Sequence, residues 1–415
     1  MTSDIGIARG TALYIGALLG PGLLLLPGLA ASQAGPASVL VWALLLGASA
    51  LFAVVFAALG VRHPSAGGVW GYATAGLGAR AGRVVGWCFL AGVISGAPIV
   101  CVVGGNYVAE LTGGGVRVAA TTAALLLVGT LAVTARGVRT SSTVQFGLVA
   151  LLLVIVTGAV VGAAPAAQAA NWTPFAPHGW GALGPAAATL MLAFVGWEAI
   201  APLTTRFARP RRQLPLVIGI AFAATAVVYL ALGVVTVAAL GDRAGTEVPL
   251  AALLTIALGA SGPAVAAVGA VVLTVGAVLA YMSGAASLAR ALRPTEATVP
   301  RWMAAAILVS GAVLIGPLAT GWIDLATLVN VPTTFFLVVY LGCTAAGWRL
   351  LHGIPRLCAG VACLAVTVVL AFCGPALLPA ALVTVIAAAT ARRGPAAHEA
   401  REPLDGADSP SMASG

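Results

Sequence analysis

Long uninterrupted apolar stretches recur from one end of this chain to the other. Two of them, residues 38–60 and 263–288, contain no charged side chain and exceed the roughly 18 residues that mark a transmembrane helix. Because the hydrocarbon core offers the backbone no water to bond, only helices and closed barrels can cross it. Barrel strands would appear as short alternating segments, so the sequence predicts an all-α membrane protein.

The composition agrees with a chain solvated by lipid. Apolar residues make up 61% of the 415 positions and charged residues 7%, whereas a soluble domain carries roughly a quarter charged residues. Hydropathy predicts about twelve transmembrane helices. Their predicted bounds are 10–33, 38–60, 83–110, 118–135, 142–163, 183–205, 215–240, 262–290, 301–319, 323–348, 354–373 and 375–392.

The basic residues indicate how the chain lies in the membrane. There is no lysine, and the arginines fall in loops and at helix ends rather than in one patch, so the net charge of +9 does not predict nucleic-acid binding. With a cytoplasmic N-terminus, every arginine except Arg117 and Arg243 lies on the cytoplasmic side, as the positive-inside rule requires. The sequence thus predicts a multi-pass protein of the bacterial cytoplasmic (inner) membrane with both termini in the cytoplasm.

Two predicted helices contain helix-breaking residues near their middles. A Gly-Pro-Gly run at 20–22 interrupts the first span, and the run Phe-Val-Gly-Trp-Glu at 194–198 puts a glycine and a carboxyl group inside the sixth. Helices one and six of twelve lead two halves of five helices each, which is typical of transporters whose substrate binds between discontinuous helices. The alternative is a pair of simple kinks, since Gly and Pro are common in membrane helices.

The chain is therefore predicted to be one polytopic transporter domain over residues 1–393. The first repeat covers about 10–163, the second about 183–348, and two extra helices occupy about 354–392. The polar remainder, 394–415, is predicted to be a disordered cytoplasmic tail.

Glu198 is the one acidic residue that the predicted spans place near the middle of the membrane. A charge at that depth costs about 2.5–3.5 kcal/mol, so an intramembrane carboxyl group usually has a function. Burial away from cations allows such a group to gain and lose a proton near neutral pH. Glu198 is predicted to be a gate or proton-coupling residue, and the alternative is a carboxyl group that only caps the broken sixth helix.

Enzymatic function has weaker support. Without lysine the chain has no phosphate-binding loop of the G-x-x-x-x-G-K type. The run Gly-Ala-Ser-Gly at 259–262 resembles an intramembrane serine protease motif, but Ser261 would need a histidine base, and all four histidines fall in predicted loops or tails. No cofactor or metal site is predicted, because the six cysteines form no C-x-x-C pair and have no neighbouring histidine.

Three motifs in register point to a known family. They are Gly-Pro-Gly at 20–22, Pro-Ser-Ala-Gly-Gly-Val at 64–69, and Phe-Val-Gly-Trp-Glu-Ala at 194–199 leading into Pro210 and Pro215. In order and spacing they resemble the amino acid-polyamine-organocation (APC) transporter superfamily over nearly the whole chain, and within it the bacterial exporters of L-methionine and branched-chain amino acids. The resemblance implies a LeuT-like five-plus-five inverted repeat with broken helices 1 and 6 and two added helices.

The resemblance also implies where a substrate binds. In that family the substrate carboxylate meets backbone N–H groups at the first break and the amino group meets carbonyls at the second, as helix dipoles favour. Apolar side chains near the breaks would select the cargo. The candidate substrate-binding residues are Gly20, Pro21, Gly22, Leu23, Phe194, Val195, Gly196, Trp197, Ile94 and Pro98 in the third span, and Tyr281 and Met282 in the eighth.

Two residues depart from the family pattern. Pro21 stands where relatives often place a hydroxyl residue, and it offers neither a hydroxyl nor an N–H. Arg206 stands where relatives often carry a glutamate, so an ion pair at the inner gate would need reversed polarity.

The predicted function is proton-linked export of neutral, apolar amino acids (methionine, leucine, isoleucine and valine) by alternating access. The absence of other central charges argues against charged cargo, which a dry pocket would have to pair. An importer or exchanger of the same fold stays open, because direction depends on gradients and gate energetics. Two alternatives of another class are an intramembrane hydrolase and a non-transporting scaffold. The predicted partners are a small amino acid, a proton and the lipid bilayer.

Overall fold

The computed structural model describes residues 6–65, 67–137, 142–198, 201, 207–292, 295 and 297–390. These residues form α-helices joined by turns and short 3₁₀ segments, and no β-strand occurs among them. The chain is an all-α membrane protein, as the apolar runs predict. Its helices within the described ranges are α1 (Ile7–Leu18), α2 (Leu26–Ala34), α3 (Ser38–Arg62), α4 (Val69–Leu77), α5 (Ala79–Thr112), α6 (Gly115–Ala135), α7 (Ser142–Ala163), α8 (Leu183–Leu190), α9 (Pro210–Leu240), α10 (Pro249–Leu258), α11 (Gly262–Leu292), α12 (Arg301–Ala319), α13 (Leu325–Leu350), α14 (Ile354–Ala371) and α15 (Leu377–Ala389).

Nine helical segments in the described part of the chain are long and apolar enough to cross a membrane. Three shorter apolar helical segments, Ile7–Leu18, Trp180–Phe194 and Gly374–Ala389, fall in the first, sixth and twelfth predicted spans. The first and sixth are short because their helices are interrupted. The count of twelve, the five-plus-five repeat and the domain bounds stay predictions.

The first break lies at the Gly-Pro-Gly run. The backbone leaves helical geometry at Leu19, with ψ 67°, and is extended at Gly20, with ψ 175°. A 3₁₀ segment at Pro21–Leu24 follows before α2 begins. Proline has no N–H to continue a helical ladder and fixes its own φ, so this sequence ends α1 and restarts the helix one short turn later.

The second break follows α8. A 3₁₀ segment covers Met191–Phe194, Val195 is extended, and Gly196 has φ +153°, a value at which glycine is strongly favoured. A Cβ atom at position 196 would lie 2.5 Å from the carbonyl oxygen of Ala17. The two broken helices therefore touch here, and glycine is what allows the approach.

Two short helices lie between predicted spans and have no counterpart in the sequence-based prediction. They are α4 and α10, of 9 and 10 residues, which are too short to cross a bilayer at 1.5 Å per residue. Helix α10 begins with Pro249, whose ring suits the first turn of a helix. The predicted tail 394–415, Arg206 and the end of the sixth span lie outside the described residues.

Candidate substrate site

An apolar cavity lies where the two broken helices meet. Its walls come from both breaks and from α5, α9, α11 and α13. The hydroxyl groups of Tyr229 and Tyr281 are the polar side-chain groups of its described lining. Of the predicted substrate-binding residues, the cavity is lined by Gly20, Pro21, Gly22, Leu23, Val195 and Tyr281.

A second space continues from the first. The two share lining residues at the first break and in α11, among them Pro21 and Tyr281. The second space extends past Gln145, near the start of α7, to the exposed Ser287 near the end of α11. These ends lie on the same side as the start of α1, so the cavity opens toward the N-terminal side.

The opposite side is closed by backbone contacts. The buried hydroxyl of Tyr107 donates to the Leu24 carbonyl at 2.6 Å and accepts from the Leu250 N–H at 3.2 Å, which ties the first break to α10. Gly28 packs against the backbone of Thr246 so closely that a Cβ would overlap the carbonyl. Among the described residues, these contacts separate the first break from the opposite side, whereas the second space leads toward the N-terminal side.

The face of α5 that lines the cavity differs from the predicted one. Positions 92, 93, 96, 97, 99, 100 and 103 line it, a stripe at helical spacing. Ile94 and Pro98 lie outside this stripe, because steps of two and six residues from Gly92 turn a helix by about 200° and 240°. Neither residue lines the cavity, so their proposed role in selectivity stays a prediction.

Four other predicted residues lie beside the cavity rather than in its lining. Trp197 is fully buried and donates from its indole N–H to the Ser49 hydroxyl at 3.1 Å. Met282 points its sulfur toward Thr134 of α6, at 4.0 Å. Phe194 packs its ring on Trp42, with 5.8 Å between centroids. Gly196, the fourth, packs on α1 as described above.

Tyrosine hydroxyls hold the carbonyls that the breaks expose. Tyr229 lies 2.5 Å from the Leu18 carbonyl and 2.6 Å from the Ala193 carbonyl, and so bridges the two breaks. Tyr340 lies 2.9 Å from the Phe194 carbonyl. Sequence reasoning missed both tyrosines. A signal was present, since a buried tyrosine in an apolar helix needs a partner and only unwound backbone there has carbonyls to spare.

Glu198 is buried, with 1% of its surface exposed. Its Oε2 accepts from the Gly196 N–H at 2.8 Å and lies 2.7 Å from the Tyr340 hydroxyl. Its Oε1 has no hydrogen-bond partner among the described residues. The hydrogen bond from the Gly196 N–H fits the interpretation of Glu198 as a cap of the broken helix. The oxygen without a partner among the described residues fits a carboxyl group that binds a proton, so both interpretations stand.

The serine of the protease-like run lies in a different setting. The hydroxyl of Ser261 donates to the Leu258 carbonyl at 3.0 Å within a single turn. None of the described hydrogen bonds joins Ser261 to a histidine.

The profile of the amino acid permease family matches residues 5–305. The chain belongs to this family, and so to the APC superfamily. The permease is 32% identical over 358 residues to the uncharacterized amino acid permease YecA of Bacillus subtilis, covering 83% of this chain and 84% of that protein. It is 28% identical over 397 residues to the L-methionine/branched-chain amino acid exporter YjeH of Escherichia coli, covering 90% of this chain and 92% of that protein. It is 28% identical over 230 residues to the branched-chain amino acid permease BcaP of Bacillus subtilis, about half of each chain.

These relatives establish the class of activity. The permease is a multi-pass membrane transporter of amino acids rather than an enzyme, and its substrate is a small molecule.

Proposed function

We propose that this permease exports neutral, apolar amino acids, such as methionine, leucine, isoleucine and valine, in exchange for protons. The observation that carries the proposal is the apolar cavity at the meeting point of the two broken helices. A zwitterion needs donors for its carboxylate and acceptors for its ammonium, and helix ends and unwound carbonyls supply both at bilayer depth.

The cavity lining favours an apolar side chain. Gly92, Val93, Ala97 and Val100 line it from α5, and Phe336 from α13, so the described lining offers no charged partner to an acidic or basic cargo. The Escherichia coli relative is named as an exporter of L-methionine and branched-chain amino acids. The side chains of these amino acids are apolar and fit such a lining.

The proposed direction of transport depends on the orientation of the permease in the membrane. The distribution of arginines supports an orientation with the N-terminal side in the cytoplasm of a bacterial inner membrane. The cavity opens to that side, where a cytoplasmic amino acid would enter. An importer or exchanger would use the same cavity, and the gradients would decide between them.

Glu198 is the proposed proton site. Exchange requires a group that holds a proton when the substrate is absent, and this carboxyl group is buried beside the second break with one oxygen unpaired among the described residues. We expect Glu198→Gln to move amino acids without a response to a pH gradient.

Proteoliposomes test the proposal directly. Vesicles loaded with labelled leucine or methionine and given a pH gradient of either sign should release label faster when protons flow inward, and Glu198→Gln should abolish the difference. Glu110→Gln, which changes an exposed carboxyl group at the end of α5, is the matched control. If no neutral amino acid is transported, the proposal is wrong and the non-transporting scaffold is favoured. If Glu198→Gln keeps the wild-type response to pH, only the proposed role of Glu198 is wrong.

A further inference from the structure

A cleft lies between the start of α5 and the end of α15, on the N-terminal side of the molecule. Arg83 and Trp87 line it from α5, Val383 and Ile386 line it from α15, and Leu292, the last residue of α11, also lines it. Because one helix begins and two end here, the cleft lies where the spans leave the hydrocarbon core. It shares no described lining residue with the two spaces at the breaks.

The cleft is polar at one end and apolar along the rest of its length. Arg83 and Thr390 form the polar end. Val383 lies about two helical turns before Thr390, or about 10 Å along α15 at 1.5 Å per residue. Ile386, on the wall between them, is 52% exposed, so the apolar part of the cleft faces the acyl chains of the membrane rather than another helix.

A pair of tryptophans marks the depth of the cleft in the membrane. The rings of Trp87 and of Trp302, at the start of α12, pack with 5.6 Å between their centroids. Tryptophan is enriched at the level of the lipid headgroups. The polar end of the cleft therefore lies at headgroup depth, and its apolar part reaches into the acyl-chain region.

The charge at the polar end is positive. The exposed Arg83 donates from its guanidinium group to the Thr390 carbonyl at 3.0 Å. Thr390 is its one hydrogen-bond partner among the described residues, which leaves further N–H donors of the guanidinium group for an anion. Arg80, one turn earlier, and Arg301, next to Trp302, are also exposed. The planar guanidinium group suits the oxygens of a phosphate.

We propose that the cleft between α5 and α15 binds an anionic phospholipid, with the phosphate at Arg83 and one acyl chain along Val383 and Ile386. Basic pockets between membrane helices commonly bind anionic headgroups. A zwitterionic lipid brings the same chain and phosphate together with a cation, so the net charge of the headgroup should set the preference. This inference concerns the surface of the permease and does not depend on the cargo or on the direction of transport.

A second copy of the chain fits the cleft less well than a lipid does. Its acidic residues would have to meet Arg83, and among the described residues these lie on the opposite side of the molecule or, for Glu198, in the interior. A phospholipid supplies the anion and the apolar chain in one molecule.

Photolabelling measures binding at this cleft alone. A phosphatidylglycerol with a diazirine on its acyl chain is crosslinked to the purified permease in nanodiscs, and the labelled fraction of segment 383–390 is followed by mass spectrometry. Unlabelled phosphatidylglycerol should compete about fivefold better than phosphatidylcholine, the factor expected from one basic residue near an anionic headgroup. Glycerol phosphate, which has no acyl chain, should not compete; competition equal to that of phosphatidylglycerol would overturn the lipid as occupant.

Three arginine variants test the role of the charge. Arg83→Gln should bring the ratio of the two lipids to about one, because glutamine can still donate to Thr390 but carries no charge. Arg83→Lys should keep most of the preference. Arg356→Gln is the matched control, since Arg356 is an exposed arginine that lies 4.8 Å from the centroid of the Trp348 ring and outside the cleft lining. A wild type without preference, or an unchanged ratio in Arg83→Gln, overturns the proposal.

Filling the apolar part tests the place of the acyl chain. Ala387 is buried and lines the cleft, so Ala387→Leu should weaken both lipids by the same factor at segment 383–390. Ala388→Leu, one position further along α15 and outside the lining, should not. Thermal unfolding checks that each variant folds. Undiminished labelling in Ala387→Leu would overturn the proposal, and so would a dimer that protects the segment from label and dissociates in Arg83→Gln.

Discussion

Backbone groups released from helical hydrogen bonding distinguish the two breaks from the rest of the molecule. At the residue scale the two breaks are defined by Pro21, which lacks an N–H, and by Gly196, whose φ of +153° favours glycine. The carbonyls that these residues release are bonded by Tyr229 and Tyr340. Small changes at these positions should therefore have large effects.

Gly196→Ala should destabilise the protein and abolish leucine binding. The added methyl group meets the Ala17 carbonyl oxygen at 2.5 Å, and the backbone conformation alone costs a non-glycine residue about 1–3 kcal/mol. We expect a lower thermal unfolding midpoint in detergent. Gly219→Ala in α9 is the matched control, since nothing lies within 4 Å of its Cβ position. Equal midpoints for the two variants would contradict the close approach of the broken helices.

At the element scale, α5 is the longest helix of the described chain, with 34 residues. Glycine, alanine and valine along one of its faces keep the helix close to the breaks while leaving space for a ligand. The opposite face, with Ile94 and Pro98, packs elsewhere. Which face lines the cavity is thus a property of how the helix is rotated in the bundle.

Ala97→Leu should narrow the cavity and change its selectivity. The larger side chain fills space at the buried wall, and overfilling a packed site costs about 1–3 kcal/mol, or about five- to 150-fold in leucine affinity. Alanine, a smaller ligand, should lose less. Competition binding with the two amino acids measures the ratio. Ala91→Leu, the same change away from the cavity lining, is the control; if it weakens leucine binding as much as Ala97→Leu, the assignment of the face is wrong.

At the scale of the whole molecule, the described residues leave a space from the cavity toward the N-terminal side and form close contacts between helices on the other. The closure joins the first break and α2 to the segment 241–250, through Tyr107 and the contact of Gly28 with Thr246. Glu247 lies in this segment, outside the membrane-spanning helices. Surrounding protein removes part of the water from its partly exposed carboxyl group and Asp324 repels its charge, and these effects raise its pKa although the amide of Asn106 donates to it at 2.7 Å.

The raised pKa of Glu247 makes the closed side sensitive to pH. The folded protein holds the proton at pH values where the unfolded chain, with a pKa near the ordinary 4.5, has released it. The stabilisation is therefore complete below about pH 4.5 and is lost as the pH rises through the folded-state pKa. Glu247→Gln should remove this part of the pH dependence and raise the thermal midpoint at pH 7.5 relative to wild type. Midpoints at pH 4.5, 6 and 7.5 test it, with Glu110→Gln as the control; an unchanged slope in Glu247→Gln would contradict the assignment.

Local chemistry was enough for the sequence to determine the fold class, the positions of both breaks and the buried carboxyl group. The length of an apolar run, a proline inside it and a single acidic residue inside it can each be recognised from neighbouring positions in the sequence. Family membership also followed from short motifs in order, and was confirmed by relatives that cover most of the chain.

Only the tertiary structure decided which side chains meet at the site. The rotation of α5, the packing of Trp197 on Ser49 and the bonds of Tyr229 and Tyr340 to carbonyls of other helices join residues 36 to 211 positions apart. In lipid, helix faces differ little in polarity because nearly every side chain is apolar, so periodicity marks no inner face. Shape and backbone hydrogen bonding between helices set the rotation of each helix instead, and neither can be read from one helix alone.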